Sequence, residues 1–549
     1  YHNSLGIPMP IVKMLLPDDA NYSTGQYYIT IDKTWQIHLN FGKLPISYHE
    51  FQNEVKVLTR HEIEHYMCCP FDVITHFRML KRIRDVYYKH FSHLGINIKY
   101  ACGAISNQAA DIIVDTKNYY RHSKETLKSE IDWIKIGANI SACPRHCKLM
   151  FLTKEAIWKE DLGINETDPE FLKIVHQLAD SFTKNGIEDK SSFLDKVEEY
   201  AEIFFKLYVE DQKNPQQSSQ QGSQQQSGQQ GPQQQSGQQG SQQQSGQWGV
   251  GRPKDGDEHG NAFVFADPDK VKEAIEVLAE ETSVEEFIDL LAIAGIIGMS
   301  DKQKGVLWFN VQSANIIPIV EFSNTGNKSS YTYPSVWRIG DPIEELDLML
   351  TYMTSPRLIP GMTTKKWGYV SNDDNGTESK QMDLLLVVDT SGSMGSAMKE
   401  SANMHQAVLA SYGILSYFES TKSKVAFIGF SDKIDAYVDW SDKYDDVRER
   451  LLTNGHGGTK FPISRIKSTL DVRSRDLVTV LITNGDLGNI NESVSYFRDY
   501  LNDDNKLYIF LLGGSKSLHS YEPLKNIGAK IYNANNANEF CDMVLTDME

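Results

Sequence analysis

From Asn214 to Gly251 the chain carries no charged residue and is nearly all Gln, Ser and Gly, with three nine-residue units beginning at Gly222, Gly231 and Gly240. Such a stretch has almost no apolar surface to offset the entropy of ordering it, so it reads as a flexible tether. Stacking of Gln strands is opposed by a Gly or Pro every few residues. The tract therefore cuts the 549-residue chain into separately folding parts. Its length also exceeds what one hydrophobic core holds, and suggests roughly three or four domains. The expected boundaries are 1–212, a linker at 213–254, a mainly helical middle region at 255–379, and a domain at 380–549.

The net charge of -18, most of it carried after the tether, excludes a sequence-independent nucleic-acid surface, which needs clustered Lys and Arg. Six cysteines, unevenly placed, are too few for a secreted disulfide framework and fit a reducing cytoplasm. The strongly apolar stretch Leu290 to Ser300 is about half the ~20 residues a membrane-spanning helix needs. No secretory signal is expected at Tyr1, and no membrane contact.

After Asp383 apolar runs alternate regularly with helical patterns. Strands are expected at 384–388, 424–430, 477–483, 507–513 and 529–533, with helices near 397–419, 460–470, 490–501 and 517–526. That order predicts an α/β fold built on a doubly wound parallel sheet, whose ligands bind at the carboxyl ends of strands. At one such end stands Asp389-Thr390-Ser391-Gly392-Ser393, one carboxylate and two hydroxyls on a tight turn. Hard cations such as magnesium take oxygen ligands of this kind and keep open positions for water or a partner's carboxylate. Asp and Ser also cap turns and helices without any metal.

Residues 380–549 resemble the von Willebrand factor A fold. The resemblance implies a metal-ion-dependent adhesion site for Mg2+ or Mn2+, with Asp389, Ser391 and Ser393 from the first loop and Thr459 from His456-Gly457-Gly458-Thr459. In the third loop the family's Thr-Asp-Gly is replaced by Thr483-Asn484-Gly485-Asp486. Asn484 can ligate through its amide oxygen, with Asp486 compensating for the missing charge. A protein partner would then complete the site with an acidic side chain.

On the other side of the tether, His61-Glu62-Ile63-Glu64-His65 matches His-Glu-x-x-His on an expected helix from Glu50 to Met67. Residues four apart share a helical face, so both imidazoles can hold one zinc while Glu62 serves as general base. Three fixed residues are a weak signal in a long chain, and Glu64 is an unusual charge between the ligands. The preceding Tyr27–Phe41 alternates as a half-buried strand would, a candidate edge for an extended peptide. Asp111 is the leading third ligand, with Asp115 and His122 as runners-up. Cys143-Pro144-Arg145-His146-Cys147 lacks a second ligand pair and reads as incidental. Residues 1–210 resemble the metallopeptidase-like domains that precede von Willebrand A-like domains in some prokaryotic proteins, where an Ala-Ala-Asp helix follows the zinc helix, here Ala109-Ala110-Asp111. This implies a zincin-like, mainly helical α+β domain.

Together these readings give a zinc-dependent metallopeptidase tethered to a magnesium-binding recognition module. The rival is a non-catalytic adaptor or assembly factor working through its adhesion site with an AAA+ ATPase. Any ATP chemistry would be the partner's, because the chain has no Gly-x-x-x-x-Gly-Lys-Ser/Thr loop.

Overall fold

The computed structural model describes residues 11–14, 28–31, 36–40, 48–137, 140–213, 268–296, 299–316, 335–337, 365–366, 382–473, 476–485, 487, 489–503, 505–513 and 519–534. The chain divides into two compact units, Tyr1–Met299 and Ser300–Glu549.

The first unit begins with a small sheet of β1 (Ile11–Met14), β2 (Tyr28–Ile31) and β3 (Gln36–Asn40), in the order β1-β3-β2. The single strand expected over Tyr27–Phe41 is in fact two antiparallel strands, with Ile29 opposite Leu39 and Ile31 opposite Ile37. An antiparallel fold-back keeps the same alternation in both strands, so a period of two does not disclose the reversal.

Among the described residues, α-helices follow: α1 (Tyr48–Met67), α2 (Val73–Val86), α3 (Ile98–Gly137), α4 (Arg145–Trp158), α5 (Pro169–Thr183) and α6 (Phe193–Lys213). Local chemistry sets several of their starts. Asp72 accepts from the backbone of Thr75 at 2.7 Å to cap α2, and Asp168 caps α5 ahead of Pro169. Helix α1 runs antiparallel to α3, as its cross-helix bonds show. Glu54 accepts from Ser129 and Trp133 (2.9 Å each), Arg60 pairs with Glu125, and Glu64 pairs with Arg121 (2.7 Å) and Lys117 (3.1 Å). The apolar face of α3, with Ile105, Ala109, Ile112 and Ile113 fully buried, fixes that helix in the core.

Beyond the Gln-rich tract, α7 (Pro268–Glu281) and α8 (Val284–Ile293) pack against α2, and α8 also against α3. Phe287, Leu290 and Leu291 are fully buried there, while Arg78 pairs with Glu281, and Arg84 with Asp289 (3.0 Å) and Glu286 (3.4 Å). The tract thus leaves and re-enters the same compact unit. The expected middle region 255–379 is shared: its first two helices belong to the first unit, and α9 (Asp301–Ile316) to the second. The helix expected through Leu350 and the turn at Pro360-Gly361 lie outside the described residues. Among the described residues, no helix is long and apolar enough to cross a membrane.

The second unit is an α/β fold. It holds a two-residue ladder of β4 (Ser335–Val336) with β5 (Lys365–Lys366), and a six-stranded sheet. The sheet's strands are β6 (Asp383–Asp389), β7 (Val425–Phe430), β8 (Ile434–Ser441), β9 (Leu477–Thr483), β10 (Lys506–Leu512) and β11 (Lys530–Ala534), in the order β11-β10-β9-β6-β7-β8. All neighbours are parallel except β7 and β8. Helices α10 (Asn403–Ser420), α11 (Tyr444–Leu451), α12 (Ile463–Leu470), α13 (Val494–Asn502) and α14 (Glu522–Lys525) complete the unit. Strand β8 and helix α11 are additions to the expected order. One face of the sheet, through Leu385, Val387, Ile428, Leu481 and Ile509, packs on Phe461, Ile466, Phe497 and Leu524. The chain leaves β6 toward β7 on one side and returns to β9 on the other, so the carboxyl end of β6 is the switch point at which such sheets bind ligands.

Candidate functional site

In the first unit, one turn of α1 carries His61 and His65 on the face that meets α3, and one turn of α3 carries Asp111 and Asp115 on the facing side. The Nε2 atoms of His61 and His65 stand 3.0 Å apart, and Asp111 Oδ1 lies 3.5 Å from the first and 3.2 Å from the second. That oxygen is buried without a hydrogen-bond partner in good geometry, while Asp111 Oδ2 accepts from Asn107 at 2.9 Å. Ligand atoms on one tetrahedral zinc stand about 3.3–3.5 Å apart, given bonds of about 2.0–2.1 Å. The three converging atoms, 3.0, 3.2 and 3.5 Å apart, come within about 0.3 Å of that spacing. Among the described residues, this is the group of His, Cys, Asp and Glu side chains able to hold a metal ion. Their side chains remain 20%, 19% and 15% exposed, so the cluster is shielded yet reachable.

The other ring nitrogens are held from outside the cluster. His61 Nδ1 is 2.7 Å from Asp115 Oδ1, and His65 Nδ1 donates to the carbonyl of Cys69 at 2.8 Å. With Nδ1 engaged in each ring, Nε2 is the nitrogen that each ring turns toward a ligand. Asp115 is therefore placed as a partner of His61 and stands outside the converging set. So does His122, which interrupts α3 with non-helical backbone (φ -140, ψ 50) and whose electrostatic neighbours are Arg60, Glu125 and Arg121.

Electrostatics follow from this crowding of carboxylates. Burial works against a charged His61, but Asp115, Asp111 and Glu62 outweigh it and raise its pKa to about 10 in the metal-free protein. Burial raises the Glu62 carboxyl above its usual range, with His61 and His65 opposing the shift. Glu64, the unusual residue between the histidines, is fully buried and points away from the cluster to Lys117 and Arg121. Its charge belongs to the helix-helix contact. His146, of the Cys143–Cys147 segment, is bonded through Nδ1 to Asp211 at 2.7 Å.

Sequence patterns did not single out Lys154 and Glu130. Lys154, on α4 and 2% exposed, reaches Asp115 Oδ2 at 3.0 Å and also pairs with Glu130. Burial alone would lower its pKa, but the two carboxylates hold it above the usual lysine range. No local motif marks such a residue, because its partners come from another helix.

In the second unit Asp389 ends β6, fully buried. Its Oδ1 accepts from the backbone of Ser391 (2.9 Å), and its Oδ2 from the hydroxyl of Thr483 (2.7 Å). The Ser391 and Ser393 hydroxyls are 3.1 Å apart, and Ser393 Oγ donates to Asn484 Oδ1 at 3.1 Å. Asn484 Nδ2 in turn donates to the carbonyl of Ser393 at 2.8 Å. The second loop docks on the first, with Gly392 N donating to Gly457 O at 3.3 Å and Gly455 N to Thr390 O at 3.0 Å. Thr459 follows on that loop, half-buried. Gly455 is required by close approach: a Cβ would meet Thr390 O at 2.6 Å and crowd the Asp435 carboxylate. The structure thus brings Asp389, Ser391, Ser393 and Asn484 into one bonded group. Asp486 lies outside the described residues. Thr483, which sequence reasoning did not choose, orients Asp389.

No family model and no curated protein matches the chain. Among solved structures it is similar to one described as von Willebrand factor type A from Catenulispora acidiphila, at 10% identity and a TM-score of 0.24. The similarity covers 31% of this chain and 42% of that one, so the chain spans less than half of the solved protein it matches.

Proposed function

We propose that the first unit is a zinc-dependent hydrolase of peptide bonds and that the second recognises a protein partner through a divalent cation. The observation that carries the first part is the convergence of Asp111 Oδ1 on the Nε2 atoms of His61 and His65, whose Nδ1 atoms are already engaged by Asp115 and the Cys69 carbonyl. His61, His65 and Asp111 would hold Zn2+, giving a zincin-like centre with its fourth position open. Bound there, zinc would supply Lewis-acid chemistry, acidifying water and polarising a carbonyl. Glu62, beside the cluster and raised by burial, takes the proton of the attacking water and passes it to the leaving amine. Peptide-library cleavage should require zinc and vanish in Glu62→Gln protein that still binds one zinc per chain. Unchanged cleavage in that variant would refute the catalytic role.

For the second unit, the reading rests on Asp389 at the switch point of a mostly parallel sheet, with Ser391, Ser393 and Asn484 around it. Mg2+ or Mn2+ is the fitting ion, completed by Thr459 and by an acidic side chain of the partner. This recognition does not depend on hydrolysis, so an adaptor acting beside an AAA+ ATPase is the second reading. Partner capture that needs magnesium and Asp389, but is indifferent to His61→Ala, favours it.

A further inference from the structure

Four side chains from three helices form a buried chain of contacts that ends on one ring of the candidate zinc centre. Glu130 of α3 pairs with Lys154 of α4, Lys154 Nζ lies 3.0 Å from Asp115 Oδ2, and Asp115 Oδ1 lies 2.7 Å from His61 Nδ1. Surface ion pairs are commonplace, but this one is not on the surface. Lys154 is 2% exposed, and the side chains of Asp115 and Glu130 are 12% and 13% exposed. Its ammonium lies over two aromatic rings, 5.2 Å from the Phe151 ring centre and 5.8 Å from that of Trp158. Trp158 is itself stacked on Tyr119 at 4.7 Å and donates to Thr116 at 3.0 Å. The ammonium therefore has one well-defined position, and burying it is costly unless it serves two carboxylates at once.

We infer that Lys154 is a positioning residue: working through Asp115, it sets the rotamer and tautomer of His61 and thereby the affinity of the His61–His65–Asp111 centre for a divalent transition metal. This rests on the metal reading of that centre proposed above. Lys154 occupies one carboxylate oxygen of Asp115, which turns the other toward His61 Nδ1. That oxygen accepts the Nδ1 proton, so Nε2 is the nitrogen turned toward Asp111 and His65. Without the ammonium, two buried carboxylates face each other, and Asp115 has no reason to keep its orientation. His65 has a different support, the Cys69 carbonyl, so the two imidazoles are positioned independently. Loss of an outer-shell partner of this kind typically weakens metal binding about 10- to 100-fold.

The test measures zinc affinity of the full chain by chelator competition, and the visible absorption of the cobalt-substituted protein, in wild type, Lys154→Met and Asp115→Asn. The expected result is one tight zinc in wild type, an affinity about 10- to 100-fold lower in both variants, and an altered cobalt spectrum. Asp115→Asn keeps the side-chain shape and reads the same link even if Lys154→Met does not fold. Wild type that binds zinc while folded variants bind it equally well, with the same cobalt spectrum, overturns the positioning role alone. Wild type that binds no zinc overturns the underlying metal reading, and this inference with it.

Discussion

Zinc binding at the α1–α3 junction should appear as stability. An ion held by His61, His65 and Asp111 joins two helices that separate on unfolding, so the unfolded chain must release it. At a zinc concentration about a thousand times the Kd, that linkage is worth about 4.1 kcal/mol. For a unit of this size each kcal/mol moves the midpoint by roughly 2–4 °C, so the first unit's transition should rise by about 8–16 °C between chelated and zinc-loaded protein. His65→Ala should abolish the rise. The variant also loses the 2.8 Å bond from His65 Nδ1 to the Cys69 carbonyl, a net cost of about 0.5–1.5 kcal/mol that lowers the metal-free midpoint by a few degrees. The two effects separate because the zinc increment is read within each protein. Scanning calorimetry in a constant excess of magnesium keeps the second unit's transition as an internal reference. A zinc increment of equal size in His65→Ala, or none in wild type, would refute the reasoning.

Burial pushes His76 down to about 4 from its ordinary 6.5, with His65 acting in the same direction. The unfolded chain takes up that proton near 6.5 while the folded one resists until about 4, so stability falls as pH drops through this window, by up to about 3 kcal/mol. Urea midpoints of chelated protein near neutral pH and at about pH 5 should show the loss, partly offset by His61, whose raised pKa acts in the opposite sense, and His76→Asn should remove it. Asn484→Asp should raise magnesium affinity on the order of tenfold by adding ligand charge; calorimetric titration showing equal or weaker binding would count against Asn484 as a ligand position. Gly455→Ala should destabilise the second unit by about 1–3 kcal/mol, because the new methyl has no room beside Thr390 and Asp435. A denaturation midpoint equal to wild type would show that these loops yield freely.

The α/β sheet was legible because its central strands, buried on both faces, are unbroken apolar runs ending at a turn rich in small polar residues. Strand β8 was not. As an antiparallel edge strand it is mostly half-exposed, and its sequence Ile434-Asp435-Ala436-Tyr437-Val438-Asp439 carries too weak a pattern to stand out. The histidines of α1 were legible from helical spacing, and Asp111 from its setting after Ala109-Ala110. The sequence ranked Asp111 ahead of Asp115 but gave Asp115 no place of its own. They lie one turn apart on the same face of α3, and only the register of α1 against α3 turns one toward Nε2 and the other toward Nδ1. The same register explains Glu64. It looked out of place between the histidines, yet it faces Lys117 and Arg121, themselves one turn apart on α3. Lys154 was invisible for the complementary reason, since a buried cation can be recognised only once its carboxylates are seen around it.

The Gln-rich tract joins α6 to α7, two helices of one unit, and not one unit to the other. A protease that cut within the tract would break the covalent chain without parting it, because α7 and α8 would stay clamped on α2 by Phe287, Leu290 and the Arg78 and Arg84 ion pairs. Two fragments on a denaturing gel could thus remain one particle in solution.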